Sequence, residues 1–457
     1  MPSTFSVCDI SKMDSSLLNP RPTVDDSSFI LPRLQGSCKA SNMALNEQIR
    51  QLMAQGKTIY HFGFGQSPFP VVDGARRALA QHAGENAYLP VAGLLELRAQ
   101  ICNFHAELDG LMHLDPNLVI VGPGTKQLIY LLVQVFNGDV LILSPSWITY
   151  KPMTVLAGKR AFEVASSMQD GWKLTPEILE KAILESNTST NRLLIFCNPD
   201  NPTGISYSEP DLKALSVVLR KHNVIVLSDE IYGHTQYEGD FLSLAKYYPE
   251  GTIISSGLSK CFSAGGWRCG YSIYPKELTA LHQTVCSASS HTHSCAAAPV
   301  QYAAIHIFKL DEETKEYIKG CRCIMGAVAK FCHRELTGCG IKAIMPVAGY
   351  YIFPDFEVLR AVLEARGIQT CEQMCEALFK EGNVAVMAGG PAFMRPLTEF
   401  TVRLCFVNFD GGAALEGWKL QGCKEKLDQD FLDKYCSPVV QGIKAIVSWV
   451  EKQLAEL

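Results

Sequence analysis

Residues 252–274 read Thr-Ile-Ile-Ser-Ser-Gly-Leu-Ser-Lys-Cys-Phe-Ser-Ala-Gly-Gly-Trp-Arg-Cys-Gly-Tyr-Ser-Ile-Tyr. The two ends of this stretch, Thr252–Ser255 and Tyr271–Tyr274, are short runs rich in apolar and β-branched residues, a pattern typical of buried strands. Further runs of the same kind precede it along the chain, at Leu118–Val121, Val140–Leu143, Leu193–Cys197 and Val224–Leu227. The middle of the chain is therefore predicted to contain many buried strands.

Segments with helical spacing of apolar residues separate several of these runs. Lys126–Phe136 and Glu209–His222 are examples. Apolar strands that alternate with helices indicate an α/β fold, in which a mostly parallel sheet is flanked by helices on both faces. Because ligands bind at the carboxyl ends of the strands in such sheets, we expect functional residues just after the strands.

The pattern changes after about residue 310. The sequence predicts one long helix, a shorter helix, a strand and a closing helix, at Glu312–Gly338, near Glu372–Glu381, at Phe400–Val407 and at Phe431–Leu454. This mixture predicts a smaller α+β domain built from the two chain ends. The predicted parts are a polar N-terminal arm (1–40), an N-terminal part of the small domain (41–72), a large ligand-binding domain (73–310) and a C-terminal small domain (311–457).

The composition is that of an ordinary globular protein. The chain has 457 residues, of which 47% are hydrophobic and 19% charged, enough to bury a large core. A formal net charge of −5 argues against a nucleic-acid-binding protein. We see no run of about 18 apolar residues, so no membrane span is expected.

The cysteines and the N-terminal segment indicate in which cellular compartment the protein is expected. The first 40 residues contain Asp9, Asp14, Asp25 and Asp26 and have no apolar core, so they fit neither a secretory signal nor an acid-poor transit peptide. The 17 cysteines are scattered through predicted helices and strands. We expect buried thiols rather than disulfides in the strand-like runs, at Cys197, Cys269 and Cys405. These observations predict a cytoplasmic protein.

Lys260 is the most informative single residue. It lies among small residues, which leave room around its amine, and Arg268 follows eight positions later. Desolvation or a nearby cation lowers the pKa of a lysine and makes it a nucleophile. Arginine stays charged and grips phosphate with two parallel hydrogen bonds. The pair therefore suits an amine that condenses with an aldehyde while a fixed cation holds a phosphate.

Three further motifs follow predicted strands. Asp229 ends the strand that begins at Val224 and precedes Tyr232, although it could simply cap a loop and the tyrosine could be a packed aromatic. The loop 198–204 reads Asn-Pro-Asp-Asn-Pro-Thr-Gly, which could also be ordinary turn chemistry. Residues 122–126, Gly-Pro-Gly-Thr-Lys, open a predicted helix whose N-terminal amides attract phosphate, although such junctions are common without a ligand.

Seven segments between about residues 58 and 407, these among them, closely resemble the motifs of the class I and II aminotransferases, in the same order. The resemblance is closest to the aspartate and aromatic aminotransferases of fold type I, which bind pyridoxal 5'-phosphate. It implies an enzyme that moves an amino group between an L-amino acid and a 2-oxo acid through a Schiff base on Lys260.

The resemblance also implies a role for each motif around the cofactor. Lys260 would hold the cofactor and, once freed, transfer a proton as general acid and base. Asp229 would pair with the pyridinium nitrogen, which keeps the ring electron-withdrawing. Tyr232 and Asn201 would hydrogen-bond the ring oxygen, and Trp147 would stack on the ring. The residues implied in phosphate binding are Gly124, Thr125, Lys126, Ser259, Arg268 and Tyr88, the last from the other subunit of a homodimer.

Arg403 interrupts an apolar strand, where a buried charge needs a partner. That partner could be an internal carboxylate, but the resemblance implies the α-carboxylate of the substrate, held by the guanidinium fork. Gly65, in the loop Gly63-Phe64-Gly65-Gln66, would close over that carboxylate, and Asn201 would also contact the substrate. The sequence does not identify which amino acid or oxo acid is used.

Other interpretations stay open at this point. The same scaffold could catalyse β-elimination or cyclopropane formation, although Gln66-Ser67 stands where cyclopropane-forming relatives usually have Glu-Asn. A catalytically silent relative is a third reading. Gly257 departs from the phosphate-binding serine that many relatives have. His291, His293 and Cys295 are three ligands close together in the sequence without a second cluster, which makes a poor zinc site, so surface or substrate-contacting histidines are preferred and no metal is predicted.

Overall fold

The computed structural model describes residues 26–36, 41–186 and 191–455. The chain folds into two units, Met1–Cys38 and Lys39–Leu457. The described part of the first unit consists of two short 3₁₀ helices, Asp26–Phe29 and Pro32–Leu34. The rest of the predicted N-terminal arm lies outside the described residues.

The second unit alternates strands and helices along its length. Its strands are β1 (Tyr60–His61), β2 (Val119–Gly122), β3 (Gly138–Ser144), β4 (Ala161–Ala165), β5 (Asn191–Cys197), β6 (Ile225–Asp229), β7 (Thr252–Gly257), β8 (Gly270–Ile273), β9 (Tyr351–Ile352), β10 (Val384–Ala385), β11 (Met387–Ala388) and β12 (Val402–Cys405). Its helices are α1 (Ser41–Ala54), α2 (Asp73–Gln81), α3 (Leu95–Asp109), α4 (Thr125–Val135), α5 (Tyr150–Leu156), α6 (Pro176–Glu185), α7 (Glu209–Lys221), α8 (Thr279–Ser290), α9 (Ala298–Phe308), α10 (Glu312–Gly338), α11 (Arg360–Ala365), α12 (Cys371–Gly382), α13 (Gly411–Leu420), α14 (Gln429–Tyr435) and α15 (Ser437–Leu454).

A seven-stranded sheet forms the centre of the fold, in the order β2-β8-β7-β6-β5-β3-β4. All neighbouring strands are parallel except β8, which runs antiparallel to both β2 and β7. The carboxyl ends of the parallel strands therefore share one edge, which we call the carboxyl edge. The predicted α/β fold with a mostly parallel sheet is confirmed.

Helices cover both faces of this sheet because its strands are apolar on both sides. Along β5, Leu193 and Ile195 pack into one core together with Leu128 of α4. The alternate residues of β5, Leu194 and Phe196, pack into a second core that contains residues of α7. Successive side chains of a strand point to opposite faces, so a continuous apolar run of this kind fits a sheet that is covered twice.

Two smaller sheets complete the unit. In one, β12 lies between β11 and β9 and is antiparallel to both. In the other, β1 pairs in parallel with β10, so that Tyr60 lies opposite Val384. This pairing joins an early segment of the chain to a late one, in agreement with a smaller α+β part formed from both chain ends. The exact boundaries of the two parts stay a prediction.

The structure corrects the predicted closing helix over Phe431–Leu454, which is two helices, α14 and α15. Cys436 separates them with a non-helical backbone (φ −119°, ψ 22°), and Pro438 stands in the first turn of α15. Proline lacks an N–H and is tolerated at the start of a helix but not in its interior. The proline therefore favours a new helix start at this point over a continuous helix.

Cysteine burial follows the prediction. Cys197, Cys269 and Cys405 are buried and are not in disulfides. Among the helices that the structure describes, none is both long enough and apolar enough to cross a membrane.

Candidate active site

Lys260 follows β7 at the carboxyl edge and is only partly exposed. Its Nζ donates a hydrogen bond to the carbonyl oxygen of Gly65 (2.7 Å), and its own carbonyl accepts one from the Tyr350 hydroxyl (2.8 Å). Burial and, next, the charge of Arg403 lower the pKa of Lys260 to about 8. A substantial fraction of the amine is therefore neutral near physiological pH, as a nucleophile requires.

Asp229 is the last residue of β6 and is buried. Its carboxylate accepts hydrogen bonds from the Tyr150 hydroxyl (2.6 Å) and from the backbone N–H of Ile231 (3.3 Å). Burial raises the pKa of Asp229 to about 6, against the opposing effects of these hydrogen bonds and of the Lys260 charge. The side chain is therefore a buried carboxylate at neutral pH.

Tyr232 and Tyr351 form a hydrogen-bonded pair of hydroxyls beside the lysine. Their oxygens lie 2.7 Å apart, and the Tyr351 hydroxyl also lies 3.5 Å from the carbonyl oxygen of Gly65. Lys260 Nζ is 5.4 Å from the centre of the Tyr232 ring. A Cβ atom on Gly65 would stand 2.2 Å from the Tyr351 hydroxyl, so this position requires glycine.

Asn201 lies in the loop 198–204, which is stabilised by hydrogen bonds between residues of the loop itself. The buried Asp200 carboxylate accepts hydrogen bonds from the backbone N–H (3.2 Å) and hydroxyl (2.6 Å) of Thr203. Gly204 turns the chain with a φ of +72°. The side-chain oxygen of Asn201 then accepts a hydrogen bond from Nη1 of Arg403 (3.3 Å). The loop therefore couples the 198–204 motif to the arginine.

Arg403 is 1% exposed, on strand β12. Its Nη2 donates to the carbonyl oxygen of Gly63 (3.1 Å) and contacts the sulfur of Met387 (3.0 Å). Its Nε is buried without a hydrogen-bond partner, and among the described residues no carboxylate forms an ion pair with it. A buried cation without a counter-charge is costly, so this site suits an anionic ligand.

Two cations meet at the start of α4. Gly124 has a φ of +87°, and a Cβ atom there would stand 2.3 Å from Nη2 of Arg268. Arg268 itself has a left-handed backbone (φ 53°) and donates from Nη1 to the carbonyl oxygen of Gly265 (2.8 Å). Burial and, next, the charge of Arg268 lower the pKa of Lys126. Neither cation forms an ion pair with a described residue, which fits a site for a phosphate.

The backbone packs closely around Lys126 and Arg268. A Cβ atom on Gly270 would stand 2.4 Å from the backbone nitrogen of Thr125, so strand β8 packs directly against the helix start. A Cβ atom on Gly257 would stand 2.7 Å from the carbonyl oxygen of Cys269, so this position has no room for a serine side chain. Ser259, the alternative, is partly buried.

Trp147 lies in the loop after β3 and packs edge-on against Tyr150, with ring centres 5.2 Å apart. Lys126 Nζ lies 5.0 Å from the centre of the indole ring. Tyr88 differs from the other predicted site residues, because 89% of its side chain is exposed in the single chain. Its predicted role across a dimer interface stays a prediction.

Sequence reasoning missed three tyrosines of this cluster, namely Tyr150, Tyr350 and Tyr351. Each lies in a stretch with a detectable signal. Tyr150 closes the polar loop that carries Trp147, and the other two follow Gly349 on the way into strand β9. A glycine directly before two tyrosines at the start of a strand signals a close approach of backbone and ring, which could have identified the pair.

Comparisons with known proteins agree with this geometry. Residues 57–410 match the family model described as aminotransferase class I and II. An aspartate/prephenate aminotransferase of Cereibacter sphaeroides is 33% identical over 373 residues, which cover 78% of this chain and 90% of the relative. An aspartate aminotransferase of Geobacillus stearothermophilus is 31% identical over 368 residues, with the same shares of the two chains.

Solved structures give the same result. The aspartate aminotransferase of Thermus thermophilus, solved with maleate, superposes with a TM-score of 0.77 at 25% identity and covers 92% of this chain and 99% of its own. An aromatic aminotransferase of Pyrococcus horikoshii superposes with a TM-score of 0.73 at 25% identity, covering 90% of this chain and 99% of its own.

Proposed function

This chain belongs to the class I and II aminotransferases, and we propose that it uses pyridoxal 5'-phosphate to move an amino group between an L-amino acid and a 2-oxo acid. The predicted family is confirmed. One observation carries the finer proposal. The Lys260 amine, with its lowered pKa, lies beside Arg403, a buried guanidinium that has no acid partner among the described residues. An amine and a guanidinium that has no carboxylate partner are what an amino acid substrate needs.

The residues present fit the proposed cofactor. Gly124 has no side chain, and the Arg268 guanidinium occupies the space that a Cβ atom would take. Lys126 and Arg268 form a pair of cations suited to a phosphate. Asp229 is a buried carboxylate that would hold a proton on a ring nitrogen, and Tyr232 would hydrogen-bond a ring oxygen. When bound, pyridoxal phosphate supplies an electron-withdrawing ring that stabilises negative charge at the substrate α-carbon.

The chain's own residues supply binding and proton transfer. The guanidinium of Arg403 holds the substrate α-carboxylate and so fixes the direction of the α-carbon. The amine of Lys260 takes the proton from that carbon and returns one nearby, because a pKa of about 8 suits both roles near neutral pH. Asp229 carries a negative charge at neutral pH although it is buried, because its raised pKa of about 6 still lies below that pH.

The names of the relatives indicate the first substrates to test. The curated relatives described above are named for aspartate and prephenate, so we propose aspartate as the amino donor and an oxo acid as the acceptor. The lyase and silent readings receive no support from these relatives, which are named as aminotransferases.

We further propose a cytoplasmic homodimer with shared active sites. Tyr88 is 89% exposed in the single chain, which leaves it available to a partner subunit, as the proposal requires. Buried thiols that form no disulfides, such as Cys197 and Cys405, support a reducing compartment.

Spectroscopy and mass spectrometry test this proposal directly. The purified protein with pyridoxal phosphate should transfer nitrogen from ¹⁵N-labelled aspartate to a 2-oxo acid, and borohydride should fix the cofactor to Lys260. Lys260→Ala should abolish both, whereas Lys213→Ala, an exposed lysine of α7, should leave both unchanged. A label on another lysine would overturn the assignment of Lys260. Release of ammonia without transfer would support a lyase instead.

A further inference from the structure

A cluster of titratable side chains outside the candidate active site has the composition of a metal site. It consists of His105 and Asp109, both on α3, and His234, in the 3₁₀ turn after Tyr232. Nδ1 of His105 lies 2.6 Å from Oδ2 of Asp109, and Nε2 of His234 lies 3.7 Å from the same oxygen. We propose that these three side chains bind a divalent transition-metal ion, zinc being the best match.

The ligand set and spacing fit zinc. Two imidazole nitrogens and one carboxylate oxygen are common zinc ligands, bound at about 2.0 to 2.2 Å. Two ligands of a tetrahedral ion at such bond lengths lie about 3.4 Å apart. The separations of 2.6 and 3.7 Å bracket that value, and all three ligand atoms lie within 4.8 Å of one another. Small side-chain shifts would therefore bring the three atoms to coordination distance.

The position of the two α3 ligands is set by the helix. His105 and Asp109 are four residues apart, so they project from the same face. The third ligand comes from a separate part of the chain and closes the cluster. The side chains of His105 and Asp109 are each 1% exposed, and that of His234 is 13% exposed. The fold therefore holds the set together in a largely dry environment.

The chemistry of the cluster suits a cation. It combines one carboxylate with two imidazole rings. Metal binding requires an ionised carboxylate and imidazole nitrogens with a free lone pair.

A second polar contact orients the buried ligand. Nε2 of His105 lies 2.8 Å from the hydroxyl of Tyr271, a buried residue of β8. Metal-binding histidines usually have their other ring nitrogen held by such a partner, which fixes the orientation of the ring. The edge of the Phe104 ring packs on His234, with ring centres 4.6 Å apart. Both histidine rings are thus held by residues that are not ligands.

A route to the cluster is present. Asp109 and His234 line a groove of about 870 Å³, which gives an ion access and leaves room for a water as a fourth ligand. Arg322 lines the same groove as Asp109 and His234. Because like charges repel, Arg322 weakens cation binding at this site, and its removal should strengthen it.

Metal titration of the full-length holoenzyme tests the proposal. After treatment with a chelator, the wild type should bind one Zn²⁺ per chain by calorimetry, and Co²⁺ should show the intense visible absorption of a tetrahedral site. His234→Gln and Asp109→Asn should each weaken Zn²⁺ binding by roughly 100-fold or more, and Tyr271→Phe by roughly 10-fold to 100-fold. Arg322→Gln should bind Zn²⁺ more tightly than the wild type.

Competing ligands require a control, because the chain has 17 cysteines. Cobalt bound by thiolates gives a strong near-ultraviolet charge-transfer band, which the proposed site should lack. The double variant His291→Ala with His293→Ala should bind zinc like the wild type. Zinc should also raise the melting temperature of the wild type and not that of His234→Gln, which monitors folding of the variant. No binding by the wild type, or unchanged binding in both ligand variants, would overturn the proposal.

Discussion

At the scale of single residues, Arg403 is the side chain whose burial most needs a ligand. Its Nε has no hydrogen-bond partner, and its two Nη atoms contact an amide oxygen, a carbonyl oxygen and a sulfur rather than a carboxylate. The ring of Tyr351 lies 4.8 Å from the guanidinium carbon and partly offsets the charge. Arg403 is therefore held in place, with the fork left available for a substrate carboxylate.

Arg403→Ala should lower kcat/KM for aspartate by about 100-fold or more, because the variant loses two charge-assisted hydrogen bonds to the substrate. Arg403→Lys should fall between the wild type and Arg403→Ala, since an ammonium is a point charge and not a planar fork. Steady-state kinetics with the amino donor measure both effects. The cofactor absorbance should stay as in the wild type, and a folded variant that lost its cofactor would show that Arg403 serves the phosphate instead.

Asp229 makes opposite contributions to catalysis and to folding. Its pKa rises from an ordinary value of 3.8 to about 6 in the fold, so between these values the folded chain holds a proton that the unfolded chain has lost. The stability of the cofactor-free protein therefore falls as pH rises through that window, and the loss is complete above about pH 6. A shift of about two pKa units corresponds to about 3 kcal/mol as an upper value.

Asp229→Asn removes this charge. In the cofactor-free protein at pH 7.5, the variant should be more stable than the wild type by about 1 to 3 kcal/mol, and the difference should shrink at pH 5. Its kcat should fall by about 100-fold or more, since a neutral amide cannot stabilise a protonated ring nitrogen. Urea unfolding at both pH values and single-turnover kinetics measure the two effects. A wild-type kcat would refute the pairing with the ring.

At the scale of secondary-structure elements, the start of α4 carries the clearest prediction. Gly124→Ala forces alanine into a backbone of φ +87° and ψ 158°, a region that is essentially restricted to glycine, at a cost of about 1 to 3 kcal/mol, and its methyl group displaces the Arg268 guanidinium. The Kd for pyridoxal phosphate should rise by about 10-fold to 100-fold, as expected for one weakened charge-assisted hydrogen bond. Fluorescence titration of the cofactor-free protein measures that constant.

Gly110→Ala is a control for the effect of a positive φ in this variant. Gly110 ends α3 with a φ of +69°, and an added Cβ atom would meet no other atom within 4 Å. It should therefore show a backbone cost in its melting temperature without any change in cofactor affinity, and that cost should be smaller than in Gly124→Ala because a ψ of 24° lies in the left-handed helical region. Equal loss of affinity in both variants would mean that the effect of Gly124→Ala comes from general destabilisation and not from Arg268.

The elements that could be predicted from sequence are those whose residues are apolar on both faces. The β5 run is an example, because a continuous apolar run has few alternatives to a buried parallel strand. The sequence does not predict strand β4, since it lies at the sheet edge and its pattern Ala-Phe-Glu-Val-Ala is only partly buried. Two-residue strands such as β1 and β10 form only because segments far apart in the sequence pair with each other. The local sequence of either segment does not indicate that pairing.

The candidate active site also contains residues that local sequence predicts and contacts that it does not predict. Lys260, Asp229 and Asn201 follow strands and lie in motifs with few other uses, so the chain order of the sheet brings them to one edge. The tyrosine pair of Tyr232 and Tyr351 depends on strand β9 packing against that edge from a different sheet. The proposed zinc cluster depends in the same way on His234 meeting helix α3. Contacts between sheets and helices far apart in sequence are the part that sequence patterns do not contain.

At the scale of the whole molecule, the proposed dimer would place Tyr88 of one subunit at the phosphate of the other. A single chain leaves this tyrosine 89% exposed, whereas Asn201, Asp229 and Tyr232 are buried. If the site is shared, subunits with different defects can repair each other on mixing. Lys260→Ala and Tyr88→Ala are the informative pair, provided that each is severely impaired alone.

In a hybrid dimer of these two variants, one site has both defects and the other has neither. The intact site takes Lys260 from the Tyr88→Ala subunit and Tyr88 from the Lys260→Ala subunit. The hybrid should therefore regain about half of the wild-type activity per dimer, on the two-fold symmetry of such an interface. Lys260→Ala mixed with Asp229→Asn is the control, because both residues serve the site of their own chain and no intact site can form. If subunit exchange is demonstrated and the Tyr88 mixture gains no more than this control, Tyr88 does not act across the interface.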